Sequence, residues 1–388
     1  MTFADRLAHA GLRLPDYGGR ELGAVLPAAL DAVGAGAAVT GRDATADRQR
    51  LGIPQARHVV VVLIDGLGHH LLAARRGHAP FLRSIESGVI TTGYPSTTAS
   101  ALTQFGTGQP SGRTGMTGYS VRNPRTGALA NLVSWEGAFE PHEWQTQPGL
   151  LRQAADAGVT VTTLGKRRFA GSGLTKAALS GGTFVGAESL AERIDVALQA
   201  ARAPGVSYCY WGEIDAAGHK HGWQSDQWVA ALEDADRELS GLARRLPKGA
   251  AMVVTADHGM VDVTGGRVWD VGAHAGLRQD VDLVAGEPRA LHLHLAQGAD
   301  AVQTATRWQD ILGTLAAVGT RAEAKDVGLF GALDDAVADR VGDVVVAMGD
   351  NATVVDSRTQ SVQSRSLIGV HGSLTKRERD IPLLVATA

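Results

Sequence analysis

A single cysteine, Cys209, in 388 residues excludes an internal disulfide and any zinc site built from several thiolates, and it suits a reducing compartment. Any metal must then be held by histidine and carboxylate side chains. Basic charge is not in surplus: 37 Lys and Arg against 40 Asp and Glu give a formal net charge of −3, which argues against nucleic acid as a partner. No segment reaches the 18 uninterrupted apolar residues that a bilayer span asks for. The opening "MTFADRLAHAGLRLPDYGG" lacks the apolar core behind positive charge that marks a signal peptide. The expectation is a cytoplasmic protein with neither a membrane nor a nucleic-acid partner; the oligomeric state is not legible. Internal repeats and low-complexity tracts are also missing.

What is present is enough chain for one large α/β domain or two ordinary ones. Residues 1–57 are Ala/Gly-rich, carry the helical run "ELGAVLPAALDAVGA", and are expected to wrap the outside of the fold. From there apolar β-branched runs alternate with helical stretches: "HVVVVLIDG" at 58–66, "GVTVTTLG" at 158–165, "GVSYCYWGEID" at 205–215 and "AAMVVTADHG" at 250–259. Continuous apolar runs suit strands covered on both faces, so the fold class is α/β, a mostly parallel central sheet with helices on both faces. The stretches 181–203 and 224–246 read as intervening helices, the second through Leu232, Leu239 and Leu246. Between 275 and 360 the pattern changes to "RALHLHLA", a helix-like "AVQTATRWQDILGTLAAV" and "GDVVVAMGDNATVVD". This reads as a small α+β cap inserted into a catalytic domain formed by 58–274 and 361–388.

The stretch "GYPSTTASALTQFGTGQ" crowds Ser96, Thr97, Thr98 and Ser100 behind Pro95. Proline disfavours the α region at Tyr94, and a Ser or Thr ahead of helix-compatible residues is an N-cap signal, so a helix starts here. A cap needs only one hydroxyl. The surplus allows a second reading, in which one hydroxyl faces a reactive centre and the helix N-terminus favours an anion beside it.

Three strand-like runs finish in aspartate: Asp65, Asp215 and Asp257. Ligands of open α/β sheets bind beyond the carboxyl ends of the strands, so these aspartates can converge, and they would repel without cations between them. Histidines stand close by in "DAAGHKHG" (His219, His221) and "DHG" (His258), and His371 stands between glycines in "GVHGS". Mixed His and carboxylate donors suit zinc or manganese. Each residue alone has a bland reading, a turn former or a solvated side chain, and the remaining histidines, such as His69, His70, His274, His292 and His294, keep that reading. Together three Asp, three His and one hydroxyl oxygen make seven donors, about right for two tetrahedral sites with open positions, which could clamp a phosphoryl group and lower the pKa of a coordinated threonine hydroxyl.

With "LIDGLG", "YPSTTASALTQFGTG", "EIDAAGHKHG", "TADHGM" and "GVHGSL" in this order over residues 59–374, the sequence resembles the alkaline phosphatase superfamily and, within it, the nucleotide pyrophosphatase/phosphodiesterase branch. The resemblance implies that Thr98, the second Thr of the Pro-x-x-Thr stretch, is the nucleophile. It assigns Asp65, Thr98, Asp257 and His258 to one metal and Asp215, His219 and His371 to the other, with His219 chosen over His221 by the pattern Asp-x-x-x-His. Two divalent ions are implied, zinc or else manganese. The family often has "HGI" and then Asn four residues after the Gly, contacting a phosphoryl oxygen; here "RTGMTGYSV" puts Tyr119 there, whose hydroxyl can also donate to a non-bridging oxygen. In "GKRRFAGSGLT" Phe169 is able to stack on a base or ring, with a solvated loop as the alternative.

The expected activity is metal-dependent hydrolysis of a phosphodiester or phosphoanhydride bond in a small nucleotide-like substrate, through a phosphothreonine intermediate. A phosphomonoesterase or a phosphonate hydrolase on the same scaffold are the rivals, and a non-catalytic metal-binding module is the rival from another class. A sulfatase is disfavoured, because Cys209 lacks the C-x-P-x-R context of that branch.

Overall fold

The valine run His58–Ile64 becomes β1, buried along its whole length at the centre of a sheet. The computed structural model describes residues 1–388, with seventeen strands numbered β1 to β17 along the chain. The main sheet has seven of them: β1, β2 (Glu86–Thr91), β5 (Val161–Gly165), β6 (Thr183–Gly186), β7 (Gly205–Trp211), β8 (Ala250–Thr255) and β17 (Asp380–Thr387). Their order across the sheet is β2-β17-β8-β1-β7-β5-β6. β1 pairs in parallel with both β7 and β8, β5 pairs in parallel with β7 and β6, and β17 runs antiparallel between β8 and β2. This is the mostly parallel, helix-covered sheet that continuous apolar runs imply. Each apolar side chain of β1 that leaves water contributes roughly 1.5–3 kcal/mol, and the one polar residue of the strand, His58, is paired with the Ala203 carbonyl and Ser207.

A second, wholly antiparallel sheet has the order β13-β14-β12-β11-β3-β4. Four of its strands, β11 (Val281–Glu287), β12 (Ala290–Leu295), β13 (Ala316–Thr320) and β14 (Val344–Met348), come from the 275–360 stretch; β3 (Ser120–Arg122) and β4 (Leu129–Asn131) come from within 58–274. Helix Ala301–Leu312 covers one face through Trp308 and Leu312. Two short pairs complete the set, β9 (Val261–Asp262) with β16 (Gly369–Val370) and β10 (Val268–Asp270) with β15 (Thr353–Val355).

Residues 1–57 do more than wrap the outside. Helix Val25–Ala32 is apolar almost all round and buried in the core of the main sheet, and Phe3 of helix Phe3–His9 packs on Gly319 of the second sheet. The stretch 181–203 divides: "TFVG" forms the half-exposed edge strand β6, and only Leu190–Ala200 is helical, started by the Ser189/Glu192 capping box. His292 and His294 are buried on β12 rather than solvated.

Candidate metal centre

The carboxyl ends of β1, β7 and β8 open toward one spot. Asp65 follows β1 directly, and Asp257 and His258 follow β8. Asp215 does not close a strand: β7 ends at Trp211, and Asp215 lies in the first turn of helix Glu213–His221. Four positions on, His219 shares its helix face, the spacing that brings two side chains together; Asp215 Oδ2 and His219 Nε2 are 3.2 Å apart. The turn after β1 passes hard against this helix. Gly66 has φ 74°, and a Cβ there would stand 2.9 Å from the Cα of Asp215, so both the conformation and the approach require glycine.

Thr98 begins the ten-residue helix Thr98–Thr107. Thr97 holds the N-cap position but makes no side-chain cap, a departure from the expectation that the neighbours of Thr98 cap the helix. The N–H groups of the first turn are thereby left for an anion. Thr98 Oγ1 lies 3.3 Å from His258 Nε2 and 3.5 Å from Asp65 Oδ2. His258 Nε2 is 3.4 Å from both Asp65 Oδ1 and Asp257 Oδ2. On the other side His371 Nε2 is 3.3 Å from His219 Nε2 and 3.8 Å from Asp215 Oδ1. The donor atoms fall into two groups, Asp215 with His219 and His371, and Asp65 with Asp215 and His258, each within 4.8 Å.

All three imidazoles are oriented in the same way. Nδ1 of His219 donates to the Gly369 carbonyl at 2.7 Å, that of His258 to Gly259 at 3.0 Å and that of His371 to Ser96 at 2.9 Å, which fixes the tautomer and turns each Nε2 lone pair inward. Asp257 Oδ1 accepts the amides of Gly66 and His258 at 3.1 and 2.9 Å. The inward oxygens, Asp65 Oδ1, Asp215 Oδ1 and Asp257 Oδ2, are buried with no hydrogen-bond partner. Three orphaned carboxylate oxygens beside three inward-turned imidazole nitrogens is a donor set that fits divalent cations, because buried acceptors without donors are otherwise costly.

The electrostatics agree. Burial, and then the charges of Asp257 and Asp215, push Asp65 well above the ordinary carboxylate range, and burial raises Asp257. Burial works toward the acid form of Asp215 too, but His219, His371 and His258 override it and hold the group low. Burial opposes a charge on His219, yet Asp215 lifts it to about 9. His371 is pushed down by burial and by the two neighbouring histidines, and it stacks on His258 at 3.7 Å between ring centroids.

Two more residues, Tyr119 and Phe169, are expected to meet substrate. Tyr119 donates its amide to Glu287 and its side chain is 45% exposed. Phe169 meets Tyr210 edge to face at 5.8 Å. Tyr210 itself was not foreseen: its hydroxyl donates to Asp65 Oδ2. The one signal for it is a tyrosine next to last in β7, at the carboxyl end where ligands bind.

A mostly parallel α/β sheet with this His and Asp set beside a threonine at a helix N-terminus places the protein in the alkaline phosphatase superfamily. The chain belongs to the type I phosphodiesterase/nucleotide pyrophosphatase family, whose sequence profile matches residues 59–374, and it is a hydrolase acting on phosphoester bonds. Phosphonoacetate hydrolase from Sinorhizobium meliloti 1021, solved with phosphonoformate, superposes with a TM-score of 0.65 at 22% identity, over 86% of this chain and 91% of that one. Human ectonucleotide pyrophosphatase/phosphodiesterase 5 gives 0.66 at 14% identity over 85% and 87%, and the murine protein 0.63 at 17% over 85% and 88%. No curated protein sequence matches.

Proposed function

We propose that the protein hydrolyses phosphodiester or phosphoanhydride bonds of small nucleotide-like molecules, with Thr98 as nucleophile. Asp65, Thr98, Asp257 and His258 would hold one divalent cation and Asp215, His219 and His371 a second, zinc or manganese by the chemistry of the donors. The observation that carries the reading is the position of Thr98 Oγ1, at an uncapped helix N-terminus and 3.3 and 3.5 Å from His258 and Asp65. Two such cations, when bound, lower the pKa of the threonine hydroxyl and offset charge on the phosphoryl group. Thr98 Oγ1 forms the bond to phosphorus as the leaving alcohol or phosphate departs with its electron pair. Water then attacks the phosphothreonine in line and frees Oγ1, and two inversions give retention at phosphorus. The amides of the first helical turn stabilise the oxygens that carry the developing charge.

Charge counting favours diesters. Two dications are balanced by three carboxylates and one alkoxide, so a diester adds one negative charge to a near-neutral centre, whereas a monoester adds about two. Compensation would need a cation aimed inward. Of the nearby lysines and arginines, Lys166 already has its charge offset by Glu213 at 2.7 Å. The test is kcat/KM of the metal-reconstituted protein for bis-p-nitrophenyl phosphate and a thymidine p-nitrophenyl diester against p-nitrophenyl phosphate and phosphonoacetate. A clear preference for the monoester or the phosphonate overturns the diester reading.

A further inference from the structure

Two segments that build the centre, the turn Thr97–Thr98 and the loop after β16 that carries His371, and a third beside them, the loop entering β3 at Tyr119, come from distant parts of the chain. One side chain of the second sheet meets all three. Glu287, the last residue of β11, accepts the Tyr119 amide on Oε2 at 2.8 Å. The Thr97 hydroxyl stands beside the same carboxyl. A Cβ on Gly372 would lie 2.6 Å from Glu287 Cγ and 3.1 Å from Oε1, and Gly372 has φ 130°, so this glycine is what admits the glutamate against the His371 loop. Glu287 is 6% exposed, no cation pairs with it, and Oε1 makes no hydrogen bond of good geometry.

A buried acid without a cation is costly. Its contacts give the reason to keep it. The same hairpin of β11 and β12 also supplies Arg289, whose guanidinium holds Glu378, and Glu378 Oε1 accepts the amide of Ser373, two residues beyond His371. The hairpin therefore grips the His371 loop from two sides while Glu287 reaches the nucleophile turn.

We propose that Glu287 is a positioning residue, through which the second sheet holds the nucleophile turn and the His371 loop in register with each other. The inference rests on the reading of Thr98 as nucleophile and His371 as metal ligand. Burial raises Glu287 to about 8, so near neutral pH it is largely the uncharged acid, which still accepts the Tyr119 amide on Oε2. A glutamine keeps the size and that acceptor, and an alanine keeps neither.

The full-length, zinc-loaded protein and its Glu287→Ala and Glu287→Gln variants would be compared by hydrogen exchange, by zinc affinity and by hydrolysis of bis-p-nitrophenyl phosphate. Glu287→Ala is expected to lower kcat by about tenfold to a hundredfold with KM little changed, the usual effect of loosening the support of a reacting group. It should also speed exchange at the Tyr119 amide and in segments 96–98 and 371–373, and weaken zinc binding. Glu287→Gln should restore all of these close to wild type. If alanine does not fold, Glu287→Leu takes its place. Unchanged exchange and kcat in the alanine variant, or a glutamine variant as impaired as alanine, overturns the proposal. If the wild-type protein hydrolyses no phosphoester, the functional reading fails, and exchange and zinc affinity alone decide on Glu287: loosening confined to the three segments supports it, and no loosening overturns it.

Discussion

Arg289→Met should destabilise the fold by about 3–5 kcal/mol, the cost of stranding one member of a buried ion pair. Both partners of the Arg289–Glu378 pair are wholly buried. The guanidinium donates through Nε and Nη2 to the two carboxylate oxygens at 2.7 and 2.9 Å, and through Nη1 and Nη2 to the carbonyls of Ala352 and Met348 at 2.7 and 3.2 Å. Methionine fills much of the volume but strips all four acceptors. The Ser373 amide and Thr375 hydroxyl, at 3.0 and 2.6 Å, still donate to Glu378 and keep the loss from going higher. With 388 residues the unfolding entropy is about 0.8 kcal/mol/K, so the melting temperature should fall by about 4–6 °C. Arg289→Met combined with Glu378→Met removes both charges and should recover part of the loss, the remainder reflecting the Ser373 amide and Thr375 hydroxyl left without their acceptor. Calorimetry on both variants decides: a single variant that melts with wild type, or a double variant no better than the single, refutes the argument that an uncompensated buried charge sets the cost.

Thr98→Ala should remove nearly all turnover, by about a thousandfold or more, with the melting curve intact; full loss in Thr97→Ala or Ser96→Ala with activity kept in Thr98→Ala would show that the nucleophile is a neighbour. Because Asp215 lifts His219 to about 9, proton and metal compete for one nitrogen below that pH, so zinc affinity should fall as pH drops and uptake near pH 7.5 should release about one proton or more. Calorimetric titration in buffers of different ionisation enthalpy reads that number, and zero release refutes it. Tyr210→Phe removes the hydroxyl that steadies Asp65 and should weaken zinc binding by about tenfold, measured by competition with a chelator; an unchanged affinity would mean that the packing around β1 alone holds Asp65.

How much of this was legible in the sequence follows from the range over which each interaction acts. The valines of β1 and the strand-end Asp65 and Asp257 are local signals, a burial pattern and the residue that ends it, and they could be read without knowing any partner. Asp215 was placed one step wrong for a local reason too: "GEID" continues the apolar run of β7, but the chain has already turned at Gly212 into the helix that carries His219. Tyr210 and Glu287 stayed hidden because their partners are 145 and 168 residues away, and no periodicity encodes such a contact. β3 and β4 escaped notice because each is only three residues long, too short to show a period. The crowded hydroxyls stand between these cases. Their excess over what a cap needs was visible, and the structure accounts for each one separately: Ser96 Oγ donates to the Ser373 carbonyl at 2.7 Å, Thr97 stands against Glu287, Thr98 faces Asp65 and His258, and Ser100 donates to the Met116 carbonyl. Two of the four, Ser96 and Thr97, serve joints with segments far off in the chain, and Ser100 ties the helix to a turn 16 residues on. A run of small hydroxyl residues that exceeds local demand here marks a junction of loops, and Thr98, whose hydroxyl alone of the four faces the His and Asp donors, is the one the proposed chemistry uses.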